Sequence, residues 1–363
     1  MIIGLFTEML TPGGIQRISQ HIACILARYA RNHNLPYCFL SLNDPIGLHI
    51  LRIDNEEFTI EGFSAQKLRF IIAILKKIFK IKIAFIAHID LAPLGLCIKS
   101  IKPKFCYIVE TYGLDVWEPE FFLWKLSLVS ANKVIALSNH TANKLLEVHK
   151  IDPKKVIIIP PALDPCFFRK SKNVLVENHP SGKKLLTVAR LIASENKGVD
   201  IVIKAMPAIL KEFPDTCYIV VGDGDDKNRL ETLAKNLEVK EHVLFVGNKV
   251  GDELLTYYSS CDIFVMPSLL EGFGVVFLEA MTFCKPVIGG NHGGTPEIVR
   301  NGKNGFLVEY NNVDILVQKL IQLLSNEKLC KQMGEAGQQL VNEQYSFESF
   351  HQRLTALLEG DCK

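Results

Sequence analysis

The chain has 363 residues, of which 48% are hydrophobic and 22% charged, so it is long enough for about two domains and too apolar for intrinsic disorder. The net charge is +2, but residues 1–170 carry an excess of Lys and Arg while residues 171–363 carry an excess of Asp and Glu. The positive charge is too spread for nucleic-acid binding, no apolar run reaches the roughly 18 residues of a spanning helix, and Glu8 argues against a signal peptide. Ten cysteines without a CxxC pair favour a reduced, cytoplasmic chain.

The first half alternates short apolar runs with helical periodicity, which predicts a parallel α/β domain. A first strand is predicted at Ile2–Phe6, followed by a Gly13–Gly14 turn and a helix at Ile15–Ala30. Further helices are predicted at Lys67–Lys80 and at Asn139–Lys150, the latter with Ser138 as its N-cap. The other predicted strands are Tyr37–Leu42, Ile83–Ala87, Phe105–Val109, Val134–Leu137 and Val156–Ile159.

A second α/β series follows the weakly periodic stretch Asp164–Pro180, which is typical of a linker. Its predicted strands are Leu185–Ala189, Tyr218–Val221, Val243–Val246, Ile263–Met266, Pro286–Ile288 and Gly305–Val308. Its predicted helices are Val199–Phe213, Leu230–Leu237, Val275–Thr282 and Val313–Leu324, with a last helix at Phe347–Glu359. We therefore expect two doubly wound, Rossmann-like domains facing across a cleft. They span residues 1–165 and 183–345, joined by a linker at 166–182, with 346–363 packing back toward the first domain.

Glycines and glutamates follow the predicted strand Ile263–Met266. Gly272 and Gly274 allow close approach of a ligand, and the helix that opens at about Gly274 points free N–H groups toward it. Glu279 lies inside that helix among apolar residues and needs polar partners, for which sugar or ribose hydroxyls are suitable. Alternatively, Glu271 caps the helix and Glu279 is a structural carboxylate whose partners lie within the protein.

Two cations lie at the end of the predicted strand Leu185–Ala189. Arg190 follows that strand directly and Lys197 precedes Gly198 and the next helix, so both suit a diphosphate at the carboxyl edge of the sheet. The alternative is a pair of solvated loop charges. The acidic turn at residues 222–226 resembles a metal-binding Asp-x-Asp pair, but no further carboxylates converge on it in the sequence, so we favour a solvated turn and predict no metal site.

These motifs together resemble the nucleotide-sugar-binding domain of retaining glycosyltransferases of family 4, also called glycosyl transferase group 1. The resemblance covers about residues 182–308, and it implies the two-domain GT-B fold. The residues that carry it include Val188-Ala189-Arg190-Leu191, Lys197-Gly198, Val221-Gly222-Asp223-Gly224, the Glu271 and Glu279 pair, Gly293-Gly294-Thr295-Pro296-Glu297-Ile298-Val299, Gly302 and Gly305-Phe306-Leu307-Val308.

The resemblance implies a role for each matched residue. Arg190 and Lys197 would hold the donor diphosphate, and Glu279 would bind the ribose hydroxyls. Glu271, a catalytic candidate, and the backbone of Phe273, Gly274 and Val275 would contact the transferred sugar. Gly14 would approach the phosphates from the other domain. Such enzymes need neither a metal nor a cofactor, because cations and the helix dipole stabilise the leaving diphosphate.

The acceptor side matches the family less closely. Where the family commonly has a histidine before a glycine, this chain has Tyr112, in Thr111-Tyr112-Gly113-Leu114-Asp115. Tyr112 is therefore a catalytic and acceptor-side candidate that could donate a hydrogen bond or stack on a sugar. Asp115 and His88 are further acceptor-side candidates, although a histidine at a strand end is also commonly a plain loop residue.

The stretch Lys67–Lys82 combines lysine and arginine with Ile, Leu and Phe and has no acid. A basic amphipathic helix of this kind binds an anionic membrane surface, or it is an ordinary crossover helix with a lysine-rich solvent face. The favoured function is a metal-independent hexosyltransferase that uses a nucleoside-diphosphate sugar and a glycan or lipid-linked acceptor in cell-surface polysaccharide or lipopolysaccharide-type synthesis. It would lie in the cytoplasm, on the inner face of the membrane. The alternatives are a GT-B-type epimerase or phosphorylase and a non-catalytic nucleotide-sugar-binding protein.

Overall fold

A computed structural model describes residues 1–53, 56–119, 121–168 and 182–361. The chain divides into two compact units. Unit 1 comprises Met1–Asp164 with Phe347–Lys363, and unit 2 comprises Pro165–Ser346. Unit 1 is therefore assembled from two separate stretches of chain. Most of the predicted linker, residues 169–181, lies outside the described residues.

The described residues of unit 1 form an eight-stranded sheet in the order β3-β4-β2-β1-β5-β6-β7-β8. The strand β3 pairs antiparallel with β4, and the pairs from β4 to β8 are parallel. The central strands read as continuous apolar runs because helices cover them. The strands are β1 (Ile2–Phe6), β2 (Tyr37–Ser41), β3 (Gly47–Ile53), β4 (Glu56–Gly62), β5 (Ile83–Ile86), β6 (Cys106–Thr111), β7 (Lys133–Ala136) and β8 (Val156–Ile158).

Five helices follow in the first stretch of unit 1, within the residues described. They are α1 (Gly14–Asn32), α2 (Lys67–Leu75), α3 (Ala92–Ile101), α4 (Phe122–Ser130) and α5 (Asn139–Glu147). Side chains of α2 to α5, such as Phe70, Ile98 and Leu145, pack into one buried cluster with Ile3 of β1. Ser138 caps α5 by accepting a hydrogen bond from the Thr141 N–H, which confirms the predicted N-cap.

The hairpin of β3 and β4 was not predicted. Its signal is present in β4, where buried Phe58 and Ile60 alternate with polar residues. This period of two is typical of a strand with one covered face. A search for continuous apolar runs misses this strand, because polar and charged residues separate its apolar ones.

The predicted single helix Lys67–Lys80 is wrong in its second half. The helix α2 ends at Leu75, and a separate 3₁₀ turn covers Ile78–Lys80. The chain leaves the helix because Ile81 is fully buried and the Lys82 N–H donates to the Met1 carbonyl where β5 begins to pair with β1. The Lys82 end of the predicted basic helix therefore belongs to the entry into a strand.

Unit 2 contains, in its described part, a parallel six-stranded sheet in the order β11-β10-β9-β12-β13-β14. The strands are β9 (Lys184–Val188), β10 (Cys217–Val221), β11 (Val243–Gly247), β12 (Ile263–Met266), β13 (Val287–Gly290) and β14 (Gly305–Val308). The helices are α6 (Val199–Glu212), α7 (Lys227–Asn236), α8 (Gly251–Ser260), α9 (Val275–Thr282), α10 (Thr295–Ile298), α11 (Val313–Leu324) and α12 (Glu327–Gln344). The two predicted parallel α/β units are confirmed.

The last helix, α13 (Phe347–Asp361), belongs to unit 1 and packs against α1. The ring of Phe347 meets His21 edge-on with 5.3 Å between ring centroids. His21 is fully buried, and burial lowers its pKa to about 3, so it is neutral in the folded chain. Among the residues that the structure describes, no helix combines the length and the apolar character needed to cross a bilayer.

Candidate functional site

Three loops meet at the carboxyl edge of the unit 2 sheet, where β9, β12 and β13 are neighbours. The Leu269 N–H after β12 donates to the Asn196 carbonyl after β9 over 2.9 Å. The Gly294 N–H after β13 donates to the Glu271 carbonyl over 2.8 Å. These two backbone bonds hold residues 73 and 23 positions apart in fixed register, because crossovers return each parallel strand to the same edge.

The same loops carry a chain of four alternating charges. Arg190 Nη2 lies 2.6 Å from Glu195 Oε1, and Lys197 Nζ lies 3.6 Å from Glu195 Oε2. The other side of Lys197 contacts Glu271, with 3.0 Å between Nζ and Oε2. Arg190 is mostly exposed, whereas Glu195, Lys197 and Glu271 are largely covered. The predicted neighbours Arg190, Lys197 and Glu271 are thus brought together, and Glu195 joins them.

Gly198 explains how Lys197 reaches this position. Its φ of 78° is in the left-handed region, and a Cβ there would lie 2.5 Å from the Pro267 carbonyl oxygen. Only glycine lets the loop after β9 press so closely on the loop after β12. Lys197, the preceding residue, therefore lies beside Glu271.

The N-terminus of α9 opens onto the same edge. Gly274 precedes the helix with a φ of 94°, and a Cβ there would come within 2.7 Å of the Phe277 ring. The Phe273 side chain is buried against Tyr345, so its backbone, and not its ring, is what the loop presents. Val275 is the first residue of α9, where backbone N–H groups have no partner within the helix.

Glu279 lies one turn further along α9 and is half-buried. The buried Tyr258 of α8 donates its hydroxyl to Glu279 Oε2 over 2.5 Å. Stacking on Phe283, with 6.1 Å between ring centroids and 5° between planes, fixes the tyrosine ring. Burial, and then the neighbouring carboxylate, raise the pKa of Tyr258 well above its usual value, so it remains a donor.

A cavity of about 260 Å³ lies beside the charged loops within unit 2. Arg190, Lys197 and Asn196 line one part, and Arg229 and Tyr310 line another. Arg229 is held by Asp226 through two hydrogen bonds, and the Tyr310 hydroxyl donates to Asn196 Oδ1 over 3.3 Å. The Asp226 carboxylate of the acidic turn therefore binds the Arg229 side chain. Within the described residues, no group of three His, Cys, Asp or Glu side chains is arranged to hold a metal ion.

In unit 1, Tyr112 directs its hydroxyl into the protein. The oxygen lies 3.0 Å from Glu110 Oε2, 3.0 Å from the Ala87 carbonyl and 3.3 Å from Ser19 Oγ. The residue is only 8% exposed. The hydroxyl is therefore committed to internal partners, and the structure does not bring it where an acceptor sugar could bond to it.

Of the two carboxyl groups around Tyr112, that of Glu110 is fully buried and that of Asp115 is partly buried. Asp115 accepts hydrogen bonds from the Tyr112 and Gly113 N–H groups, and burial raises its pKa despite the opposing effect of His88. Burial raises the pKa of Glu110 to about 8, while the Tyr112 hydrogen bond acts in the opposite direction. Glu110 is therefore mostly protonated at neutral pH, and Asp115 shapes the turn instead of presenting a free carboxylate.

His88 is an acceptor-side candidate that is partly accessible. It follows β5, its ring lies 5.9 Å from the Tyr112 ring, and its side chain is 19% exposed. Nδ1 lies 3.2 Å from the Asp90 backbone nitrogen and 3.4 Å from Asp90 Oδ2, so Asp90 occupies this side of the ring. Gly14 is the first residue of α1, and a Cβ there would meet no atom within 4 Å.

The family model of glycosyl transferases group 1 matches residues 170–340. The chain therefore contains a group 1 glycosyltransferase domain. It is 32% identical over 213 residues to a GDP-mannose-dependent alpha-(1-6)-phosphatidylinositol monomannoside mannosyltransferase of Mycobacterium tuberculosis (strain CDC 1551 / Oshkosh). That match covers 56% of this chain and 55% of the relative, so the chain aligns with little more than half of the relative's length.

Solved structures extend the likeness in fold to both units of the chain. A glycosyltransferase from Rickettsia africae ESF-5 superposes with a TM-score of 0.77 at 21% identity, covering 100% of this chain and 98% of the other. Anabaena Alr3699/HepE, in complex with UDP and glucose, superposes with a TM-score of 0.76 at 19% identity and 99% coverage of both. The fold is therefore GT-B, as predicted.

Two residues of the glycosyltransferase domain escaped the sequence analysis. The sequence could have identified Glu195 as a site residue, because it lies between Arg190 and Lys197 in one short loop. Tyr258 had none, because its contact with Glu279 spans 21 positions and depends on how α8 packs against α9.

Proposed function

We propose that this chain is a retaining glycosyltransferase that moves a sugar from a nucleoside-diphosphate sugar to a glycan or lipid-linked acceptor. The observation that carries the proposal is the meeting of Arg190, Lys197 and Glu271 at the carboxyl edge of the unit 2 sheet, beside the N-terminus of α9. A diphosphate needs clustered positive charge and free N–H donors, and both lie at that edge. The group 1 family match in the same unit supports this assignment.

The chemistry follows from charge. The bond between the anomeric carbon and the diphosphate oxygen breaks, an acceptor hydroxyl oxygen bonds to the same face of that carbon, and nucleoside diphosphate and a proton are released. Arg190, Lys197 and the α9 N–H groups would stabilise the charge that develops on the departing diphosphate. Glu279 would hold the ribose, and Glu271 would contact the transferred sugar. We assign no residue as a nucleophile.

We also propose that neither a metal nor a cofactor takes part, because Arg190, Lys197 and the helix N-terminus already supply positive charge for the leaving group. On the acceptor side, His88 is the better candidate than Tyr112. Both Asp90 contacts are made by Nδ1, which leaves Nε2 on the other side of the ring, whereas the Tyr112 hydroxyl is committed internally.

A lipid-linked acceptor and a location on an anionic membrane surface form the finer part of the proposal. The outer side of α2 and the following turn exposes Leu68 (72%) and Phe79 (83%) beside exposed Lys76 and Lys80. A solvated crossover helix would expose polar residues there, whereas a membrane-docking face combines apolar and basic side chains. The mycobacterial relative is named for a phosphatidylinositol-linked mannoside, which supports an acceptor of this class.

Calorimetry with UDP, GDP and their sugars tests the donor assignment. Binding of one nucleoside diphosphate is expected, and at 100 times its dissociation constant it should stabilise the fold by about 2.7 kcal/mol. Proton NMR of the product should then show the donor's anomeric configuration, with activity unchanged by EDTA. Release of free nucleoside diphosphate without an acceptor would indicate an epimerase, and binding without any turnover would indicate a sensor.

A further inference from the structure

The Glu195 carboxylate bridges the two cations that the proposed function assigns to the donor diphosphate. Its two oxygens contact different partners, Oε1 with Arg190 Nη2 at 2.6 Å and Oε2 with Lys197 Nζ at 3.6 Å. A phosphate group would bind there in the same way, because it also has two oxygens on one central atom that can each face a cation. We infer that Glu195 is an internal anion that holds both cations in the ligand-free chain and gives them up to the diphosphate of the donor.

An anion is needed at this place even without a ligand. Arg190 and Lys197 carry like charges that the same carboxylate draws together, and like charges in a partly covered site repel. Lys197 also contacts Glu271, so the resting loop contains two cations and two carboxylates and is close to neutral. A donor would therefore meet cations that are correctly placed but already paired.

The contacts of Glu195 in the ligand-free chain are incomplete, which favours its replacement by a diphosphate. The side chain of Glu195 is 12% exposed, and its Oε2 is buried without a hydrogen-bond partner in the described part of the chain. A charged oxygen without a hydrogen bond raises the energy of the resting state. A diphosphate offers more oxygens than one carboxylate and can satisfy Arg190 and Lys197 together.

The loop allows the side chain to leave without a change of fold. Glu195 ends a short 3₁₀ turn whose other residues, Ala193 and Ser194, are exposed. Asn196, the next residue, is tied to Leu269 through its backbone and to Tyr310 through its side chain. Rotation of Glu195 toward solvent therefore leaves Lys197 anchored beside Glu271.

The inference rests on the proposed function. It predicts that removal of a carboxylate from the site strengthens diphosphate binding. If Glu195 competes with the diphosphate, then Glu195→Gln should bind more tightly than the wild type. The expected gain is about fivefold in the dissociation constant, because one partly exposed ion pair no longer has to be broken. If Glu195 only positions the cations, the same substitution should weaken binding.

The test is calorimetric titration of inorganic pyrophosphate, UDP and GDP into wild type, Glu195→Gln and Glu195→Ala. Asp200→Asn is the matched control, because Asp200 lines the neighbouring cavity and pairs with Lys204 at 2.8 Å instead of with Arg190 or Lys197. Tighter pyrophosphate binding in both Glu195 variants, with Asp200→Asn unchanged, is the expected result.

Unchanged or weaker binding in Glu195→Gln would overturn the inference while leaving the donor site in place. Equal tightening in Asp200→Asn would also overturn it, because the effect would then reflect the loss of any nearby negative charge. If none of the three probes binds wild type or variants, the proposed donor site itself is wrong and the inference falls with it.

Discussion

Tyr258 and Glu279 are joined by a hydrogen bond of 2.5 Å between the tyrosine hydroxyl and Oε2 of the carboxylate. The tyrosine is fully buried, and the glutamate is half-buried. The pair therefore connects the inside of unit 2 to the carboxylate that we assign to the ribose. The Tyr258 hydroxyl holds Glu279 Oε2, which limits how far the carboxylate can turn.

We expect Tyr258→Phe to weaken nucleoside diphosphate binding roughly tenfold, because Glu279 loses a donor to a charged group. The turnover number should change little. The matched control is Tyr218→Phe, which removes the hydroxyl of another buried tyrosine in unit 2, one that contacts Thr187 at 2.7 Å. Calorimetry measures both affinities, and an equal loss in the two variants would show that Tyr258 acts on stability alone.

Arg190→Ala and Lys197→Ala should each weaken nucleoside diphosphate binding by about 1.5–3 kcal/mol, the scale of a hydrogen bond to a charged group. The larger loss is expected for Lys197, whose side chain is 17% exposed against 73% for Arg190. Lys204→Ala removes a cation that pairs with Asp200 and serves as the control. Wild-type affinity in both site variants, measured by calorimetry, would sink the diphosphate assignment.

The stability of unit 1 should depend on the protonation of Glu110. Its folded pKa is about 8 against an ordinary value of 4.5, so the folded chain keeps a proton that the unfolded chain has lost between these values. The contribution of Glu110 to stability is therefore greatest below about pH 4.5 and falls as pH rises toward 8, by about 1.4 kcal/mol per pH unit at most. Glu110→Gln should flatten this decline.

Urea unfolding from pH 6.5 to pH 9 measures the effect, because below pH 6.5 protonation of His21 in the unfolded chain changes stability in the opposite direction. Both tryptophans, Trp117 and Trp124, lie in unit 1, so their fluorescence reports on that unit. Glu147→Gln, at an exposed position of α5, is the control and should keep the wild-type slope. A Glu110→Gln variant with the same slope as wild type would mean that other groups cause the decline.

Binding to anionic vesicles should require the basic residues that follow α2. Each Lys near an anionic surface contributes about 1 kcal/mol, so a variant with Lys76, Lys77, Lys80 and Lys82 changed to glutamine should lose most of its binding. Wild-type binding should also be lost at high salt, since the screening length falls from about 10 Å at 0.1 M to about 3 Å at 1 M. Nucleoside diphosphate binding should persist in the variant, because the residues assigned to the donor diphosphate lie in unit 2.

Vesicle sedimentation checks this, with neutral vesicles as the lipid control. A second variant changes four exposed lysines of unit 2, Lys235, Lys240, Lys328 and Lys331, to glutamine and alters the net charge by the same amount. Equal sedimentation of the two variants would show that net charge, and not the face of α2, governs binding.

Elements enclosed by turns and built from continuous apolar residues were predictable from the sequence. The bounds of β12 and α9 agree with their predictions, because Pro267 directly follows β12 and Gly274 directly precedes α9. The end of α2 was not predictable from periodicity, because it is set by the pairing of Lys82 with Met1. That contact joins two distant parts of the chain, which no local pattern contains.

The candidate site also has a part that the sequence predicts and a part that depends on tertiary packing. Arg190, Lys197 and Glu271 follow strand ends that share one edge of the sheet. Residue type and position in the sequence were therefore enough to predict that they lie at that edge. The direction of the Tyr112 hydroxyl depends on Glu110, Ala87 and Ser19, which reach it from three different elements. Residue type predicted a polar contact there, but only packing decides whether the partner is a ligand or the protein.

The return of α13 to unit 1 has a consequence for synthesis on the ribosome. Unit 2 is encoded between the two stretches of unit 1, and at usual elongation rates its translation takes roughly ten to forty seconds. Throughout that interval, nascent α1 lacks its neighbour, because Phe347 and the buried Leu354 and Leu358 have not been made. Unit 2 can thus mature first, and a transcript truncated near its 3′ end yields a chain in which α1 packs on its strands but lacks α13.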